Sequence, residues 1–205
     1  MGIAINNLAS AAEDRASGAQ VIDGSLKFDG SQRLERTFAN NSGTTWTWSA
    51  WIKITDFGTG DFQIFGTVSP LQFHHIRSNN FGWTQATVTQ NESNVRRDPS
   101  AWYHRLDVSN GTNIRAFING ELAVTWTQAS VGTNTNVEHF LGGESSRATE
   151  HFKGYLSEVY LIDGQALAAT DFGFTDHSQI LGDLKNTREH LEIMVSTLIS
   201  QTQMI

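Results

Sequence analysis

Two carboxylates about 5 Å apart can cleave a glycosidic bond with retention of configuration. On a strand that spacing needs acids at positions i and i+2, where both point to one face. No strand-like segment of this 205-residue chain carries such a pair. Glu158 and Asp163 stand five apart and fall on opposite faces of an extended segment. Asp56 and Asp61 flank a glycine-containing loop, and Glu13-Asp14 lies in the amino-terminal stretch. His74 and His75 are adjacent, so a strand sends them to opposite faces and they are not expected to share a metal ion. His104 sits on the apolar face of an alternating segment and is expected to be a hydrogen-bonded core histidine. There is no Gly-x-Ser-x-Gly elbow and no phosphate-loop or dinucleotide fingerprint; Gly142-Gly143 alone signals neither. The chain has no cysteine, which excludes disulfides, thiolate metal sites and a cysteine nucleophile.

Recognition chemistry fits the composition better. A sugar site stacks an exposed ring on the apolar face of a pyranose and bonds the hydroxyls through Asn, Asp or Arg. Trp83, beside the turn Asn79-Asn80-Phe81-Gly82, is the best-placed ring. Trp51 faces away from Trp46 and Trp48 and could line a concave sheet, and Trp126 adjoins a loop rich in Gln, Thr and Asn. The expected carbohydrate-binding residues are therefore Trp83, Asn79, Asn80, Trp51 and Trp126, with packing between sheets as the alternative for each ring. Trp46, Trp48 and Trp102 are assigned to the core. A net charge of −7 argues against nucleic acid, whose binding needs a basic face, and Arg96-Arg97-Asp98 is too short to supply one. No apolar run approaches the roughly 18 residues that span a bilayer, so no membrane insertion is expected.

The elements that must position these residues are strands. TWTWSAWIKI (45–54) alternates Trp46, Trp48, Ala50, Ile52 and Ile54 against Thr45, Thr47, Ser49, Trp51 and Lys53. SLKFD, LERTF, FQIFG, FHHIR and NNFGWTQATV read as further strands, with DFGTGD and Asn79-Asn80 as turns. From Trp102 to Trp126 the pattern is a three-stranded meander with Asn110-Gly111 and Asn119-Gly120 in its turns. Its first strand places Trp102, His104, Leu106 and Val108 on the apolar face. HFLGG (139–143) is a short strand. GYLSEVYLID (154–163) is a long one, with Tyr155, Ser157, Val159 and Leu161 on one face and Leu156, Glu158, Tyr160 and Ile162 on the other. Many short strands with Gly and Asn turns predict an all-β antiparallel sandwich or barrel over residues 21–176. Residues 1–20 form a leader whose thin stripe, Ile5, Leu8 and Ala12, suits a short helix or an oligomer contact.

Four segments carry a family resemblance: ASGAQVIDGSLKFDG, WTWSAWIK, RRDPSAWYH and, most specifically, FKGYLSEVYLIDGQALAATDFGFTD. They resemble the laminin-G-like, concanavalin A-like jelly-roll domains of bacteriophage tail-fibre and other virion proteins. The resemblance implies a jelly roll of two antiparallel sheets on the surface of a phage particle or its tail, contacting other virion proteins and a host-surface glycan. It implies no enzyme activity, and a glycoside hydrolase ranks third. A purely structural decoration or fibre-packing domain, with a homo-oligomer as its expected assembly, is the second reading. Such sandwiches often carry Ca²⁺ at a loop rim; Asp56 and Asp61, with Asn79-Asn80, are the candidate ligands, against ordinary turn chemistry.

The tail departs from the family. Residues 177–205 read as a helix with Leu184, Leu191, Met194, Val195 and Leu198 on a stripe, where a basic, aromatic, Gly-rich continuation is usual. Shifting the reading frame forward by one base permits that continuation with suitable synonymous codons. The tail is therefore expected to be a frameshift product.

Overall fold

The computed structural model describes residues 24–38, 44–57, 60–68, 71–85, 88–127 and 136–172. The leader 1–20 and the tail 177–205, with their expected helices, contacts and frameshift, lie outside the described residues. Among these residues no helix is long and apolar enough to cross a membrane.

The chain forms the expected all-β sandwich. Its strands are β1 (Leu26–Asp29), β2 (Leu34–Thr37), β3 (Thr45–Ile54), β4 (Asp61–Thr67), β5 (Gln72–Arg77) and β6 (Asn80–Gln85), followed by β7 (Val88–Asn91), β8 (Trp102–Asn110), β9 (Asn113–Ile118), β10 (Glu121–Thr127), β11 (Glu138–Leu141) and β12 (Lys153–Asp163). Two six-stranded antiparallel sheets result, ordered β1-β12-β3-β8-β9-β10 (the first sheet) and β2-β11-β4-β5-β6-β7 (the second). NNFGWTQATV, expected as one strand, contributes to two, β6 and β7, which pair antiparallel.

The inner face of β3 behaves as its alternation predicts. Trp46, Trp48, Ala50, Ile52 and Ile54 are all buried and join Phe65, Ile76, Phe81, Trp83 and Trp126 in the core between the sheets. The phase of β8 is corrected by its register. Trp48 pairs with Asp107 and Ala50 with Arg105, and directly opposed residues share a face. Arg105 and Asp107 therefore point into the sandwich, while Trp102, His104, Leu106 and Val108 point outward. Leu106 and Val108 are buried all the same, because Ile162 and Phe172 pack on them from outside the sheet.

That outer cover is the segment after β12. Thr47 donates through Oγ1 to Gln165 O at 2.7 Å, and Leu167 N donates to Thr47 Oγ1 at 2.9 Å. Gly164 N donates to Thr45 O at 3.0 Å, and a short 3-10 turn, Ala169–Asp171, sets Phe172 down.

β12 also departs from simple alternation. Its register with β3 slips between Ser157 and Tyr160, and Glu158 adopts φ 48°, the left-handed region. The bulge flips the phase. Leu156 and Val159 both reach the core, while Tyr160 and Ile162 join the outer cluster. In the meander, Asn119 (φ 52°) and Gly120 (φ 83°) both take positive φ, as a type I′ turn requires. At the other turn only Gly111 does, and Asn110 caps it by accepting from the N–H groups of Thr112 and Asn113 at 3.1 and 2.9 Å.

Candidate functional site

The three rings expected to stack on a sugar are closed off. Trp83 is fully buried, packed edge-on to His74 with centroids 4.7 Å apart. Trp126 is buried beneath the Arg105 guanidinium, 5.7 Å from its ring centre. Trp51 does face away from Trp46 and Trp48, but it is buried against His104 at 5.2 Å. Alternation placed Trp51 on the correct face, but that face is covered there.

Asn79 and Asn80 serve the β5–β6 turn. Ser78 and Asn79 take positive φ, Asn79 O accepts from Arg96 N at 2.8 Å, and Asn80 Nδ2 donates to Glu92 O at 2.9 Å. The pair thus ties down the segment after β7. Each carboxylate expected to ligate calcium is paired with a cation of the chain. Lys153 Nζ donates to Asp56 Oδ2 at 2.8 Å, and Arg77 forks onto Asp61, so each carboxylate is already neutralised. Among the described residues no group of three or more His, Asp or Glu side chains is placed to hold a metal ion.

Inside the sandwich lies a charged cluster that alternation hid. Arg105 Nε donates to Asp107 Oδ2 at 2.9 Å, and its Nη2 donates to Gly82 O at 3.0 Å. His74 Nδ1 lies 2.5 Å from the same Asp107 oxygen, so the His74 proton sits on Nδ1. All three side chains are fully buried. Burial opposes the charge of Asp107, yet Arg105 and His74 outweigh it and hold the carboxyl below its ordinary range. Burial drives His74 down to about 4 despite Asp107. A cluster enclosed by Trp48, Phe81 and Trp126 offers no approach to a substrate, and its role is structural.

The outer face of the second sheet is also largely covered, here by the β11–β12 connection. Glu144 N donates to Gln63 Oε1 at 3.0 Å, Gln63 Nε2 donates to Glu150 Oε2 at 2.8 Å, and Arg147 lies over Phe73 at 5.9 Å. His75 emerges on this face, opposite to His74 as expected, and bonds Asn91 Oδ1 through Nε2 at 2.8 Å. Glu144 and Glu150 share the Arg147 guanidinium at 3.4 and 3.2 Å. Glu92, whose carboxyl is pushed up by burial against the pull of Arg96, is held by Phe81 N and Arg96 at 3.1 and 2.7 Å. A general acid of a glycosidase needs a raised pKa together with reach. Glu92 has the first, but its two oxygens are already engaged.

A row of part-exposed aromatic rings lies on the outer face of the first sheet. Lys27 pairs with Tyr155, Tyr155 with Lys53, and Lys53 with Trp102. One row across β1, β12, β3 and β8 therefore reads Lys-Tyr-Lys-Trp on a single face. Lys27 is exposed and the other three are half-buried. The Trp102 and Tyr155 rings stand 6.5 Å apart, tilted by 60°, across the strand that carries Lys53. The neighbouring row, Ser157-Trp51-His104, is buried, with Phe172 6.1 Å from His104, so the open row begins where the outer cover stops. Trp102, expected in the core, lies on the outer face instead. Its outward placement follows from the same register that turns Arg105 inward, and the signal in the sequence was Lys53, a charged residue in phase with Trp51.

The fold has solved counterparts. The heptameric SAP-like pentraxin of Limulus polyphemus superposes with a TM-score of 0.58 at 18% identity, over 71% of this chain and 77% of that one. Domain 4 of the arabinanase AbnA from Geobacillus stearothermophilus, solved with arabinotriose, gives 0.56 at 17% identity, over 71% and 73%. The receptor-binding domain of botulinum neurotoxin D gives 0.55 at 15% identity, over 75% of this chain and 43% of that one. These likenesses show the fold. No curated protein matches the chain. Residues 28–171, more than half of the chain, match the family model of the concanavalin A-like lectin/glucanases superfamily, laminin-G type 3, and the chain belongs to that family.

Proposed function

We propose that the protein is a non-catalytic carbohydrate-binding module of a bacteriophage virion, displayed on a tail fibre or similar surface structure. The observation that carries the carbohydrate reading is the pair of half-buried rings, Trp102 and Tyr155, on the outer face of the first sheet. Rings held by a rigid sheet lose little entropy when a sugar stacks on them. The solved counterparts include a domain bound to arabinotriose and a toxin receptor-binding domain, in keeping with a surface-recognition role. The virion reading is supported by the resemblance of segments such as GYLSEVYLIDGQAL to phage structural proteins. The non-catalytic reading is supported by the engaged state of Glu92, Glu144 and Glu150.

The test is binding of the purified protein to a panel of bacterial surface polysaccharides. Trp102→Ala and Tyr155→Ala should each weaken binding at least tenfold, and Trp83→Phe, at a buried ring, should leave it unchanged. Binding should persist in chelator, because Asp56 and Asp61 are already paired. Release of reducing sugar by the wild-type protein would overturn the non-catalytic reading.

A further inference from the structure

The chain contains four lysines, Lys27, Lys53, Lys153 and Lys185, beside ten arginines. The three lysines in the described residues meet at one end of the first sheet. Lys153 opposes Asp29 in register and is taken up by Asp56 at 2.8 Å. Lys27 and Lys53 flank Tyr155 in the open row, and among the described residues neither is held in an ion pair. The carboxylates that influence them are Asp29 for Lys27 and Asp98 for Lys53. Both Asp side chains are occupied by local turn bonds, to Ser31 and Ser100 respectively.

The full chain carries a net charge of −7, so cations beside accessible rings run against its overall balance. Two ammonium groups outside any ion pair among the described residues are interleaved with accessible rings, each with one ionised carboxylate, Asp29 or Asp98, in its field. We infer that the Lys27-Tyr155-Lys53-Trp102 row binds a carboxylate-bearing polysaccharide, its rings stacking on pyranose faces and its two lysines pairing with carboxylate substituents. The inference rests on the carbohydrate-binding reading above and specifies its ligand class. Lys27 and Lys53 lie two strands apart, roughly 9–10 Å along the row. That distance lets two separate uronate residues of one chain be engaged together.

The experiment compares acidic bacterial capsular polysaccharides with their carboxyl-reduced, neutral counterparts, using the full chain. Binding to an acidic member is expected to fall at least tenfold on carboxyl reduction. It should fall comparably in the Lys27→Gln/Lys53→Gln double variant and weaken as salt is raised. Lys153→Gln, at the lysine already paired with Asp56, should have little effect. Because both target lysines are at the surface, an unchanged thermal midpoint checks that the double variant is folded. Equal binding to a polysaccharide before and after carboxyl reduction would overturn the acidic-ligand inference while leaving the carbohydrate reading intact. Failure of the folded protein to bind any member, acidic or neutral, would overturn both.

Discussion

Asp107 Oδ2 accepts from Arg105 and from His74 at the centre of a core otherwise built of tryptophan and phenylalanine. Taking a carboxylate and a guanidinium out of water costs several kcal/mol per ion, and their attraction roughly offsets this when the geometry is good. The offset here is incomplete. Asp107 Oδ1, Arg105 Nη1, His74 Nε2 and the indole N–H groups of Trp48, Trp83 and Trp126 have no hydrogen-bond partner among the protein atoms. Two opposite outcomes are expected from substitution. Asp107→Asn strands the buried guanidinium and should cost about 3–5 kcal/mol. Replacing the whole cluster with apolar residues, as His74→Phe/Arg105→Met/Asp107→Leu, should leave stability near that of the wild type or raise it. Denaturant midpoints of the two variants decide the matter; a triple variant as unstable as the single one would show that the cluster itself holds the sheets together.

At the level of elements, one hydroxyl makes both side-chain hydrogen bonds from β3 to the segment after β12, beside the Gly164 backbone bond and the packing of Phe172. Thr47→Val removes the partner of both Gln165 O and Leu167 N and should cost about 1–2 kcal/mol, with faster amide exchange confined to residues 164–172. Loss of protection across both sheets instead would mean that the segment is not a separate unit. Glu158 tests the bulge: Glu158→Gly should stabilise by up to about 1 kcal/mol, because glycine adopts φ 48° without the strain a side chain brings. A loss of stability there would mean that the Tyr160 hydroxyl bond to Glu158 outweighs the strain. These two elements also mark how far the sequence could be read. The alternation of β3 and the Asn119-Gly120 turn were legible because one face is buried and one turn type demands positive φ. The phase of β8 was not, since Leu106 and Val108 look like core residues whichever face they take when Phe172 covers the outside. In β12 a single bulge residue moved Tyr160 and Ile162 to the other side, and no period-two pattern announces a bulge. The candidate row was missed for the same reason: Lys27, Tyr155, Lys53 and Trp102 come from four strands and become neighbours only through register.

On the scale of the whole molecule, three of the five histidines buried among the described residues tie stability to pH. His74 lies between the sheets, His75 on the outer face of the second sheet and His104 on the outer face of the first, where its Nε2 meets Ser49 Oγ at 2.9 Å. Burial lowers each of them to about 4. In the unfolded chain each titrates near 6.5, so between about pH 6.5 and pH 4 the unfolded state binds more protons than the folded one. The histidine contribution is then full above pH 6.5, falls as the solution is acidified and is spent near pH 4, below which protonation of Asp107, held below its ordinary range, continues the loss. Each histidine accounts for roughly 3 kcal/mol of the loss, and together they approach the entire stability of a typical domain. Glu92 works in the opposite direction, because burial raises its carboxyl, but it is one group against three. The protein should therefore unfold in acid before the histidines protonate in the folded state, with the denaturant midpoint dropping steeply from pH 6.5 to pH 4.5. His75→Gln, which removes one of the three titrations and leaves an amide to meet Asn91, should reduce that slope by about a third. A midpoint that stays level between pH 7 and pH 5 would mean that the histidines are protonated in place, with the sandwich opening locally around them rather than unfolding as one unit.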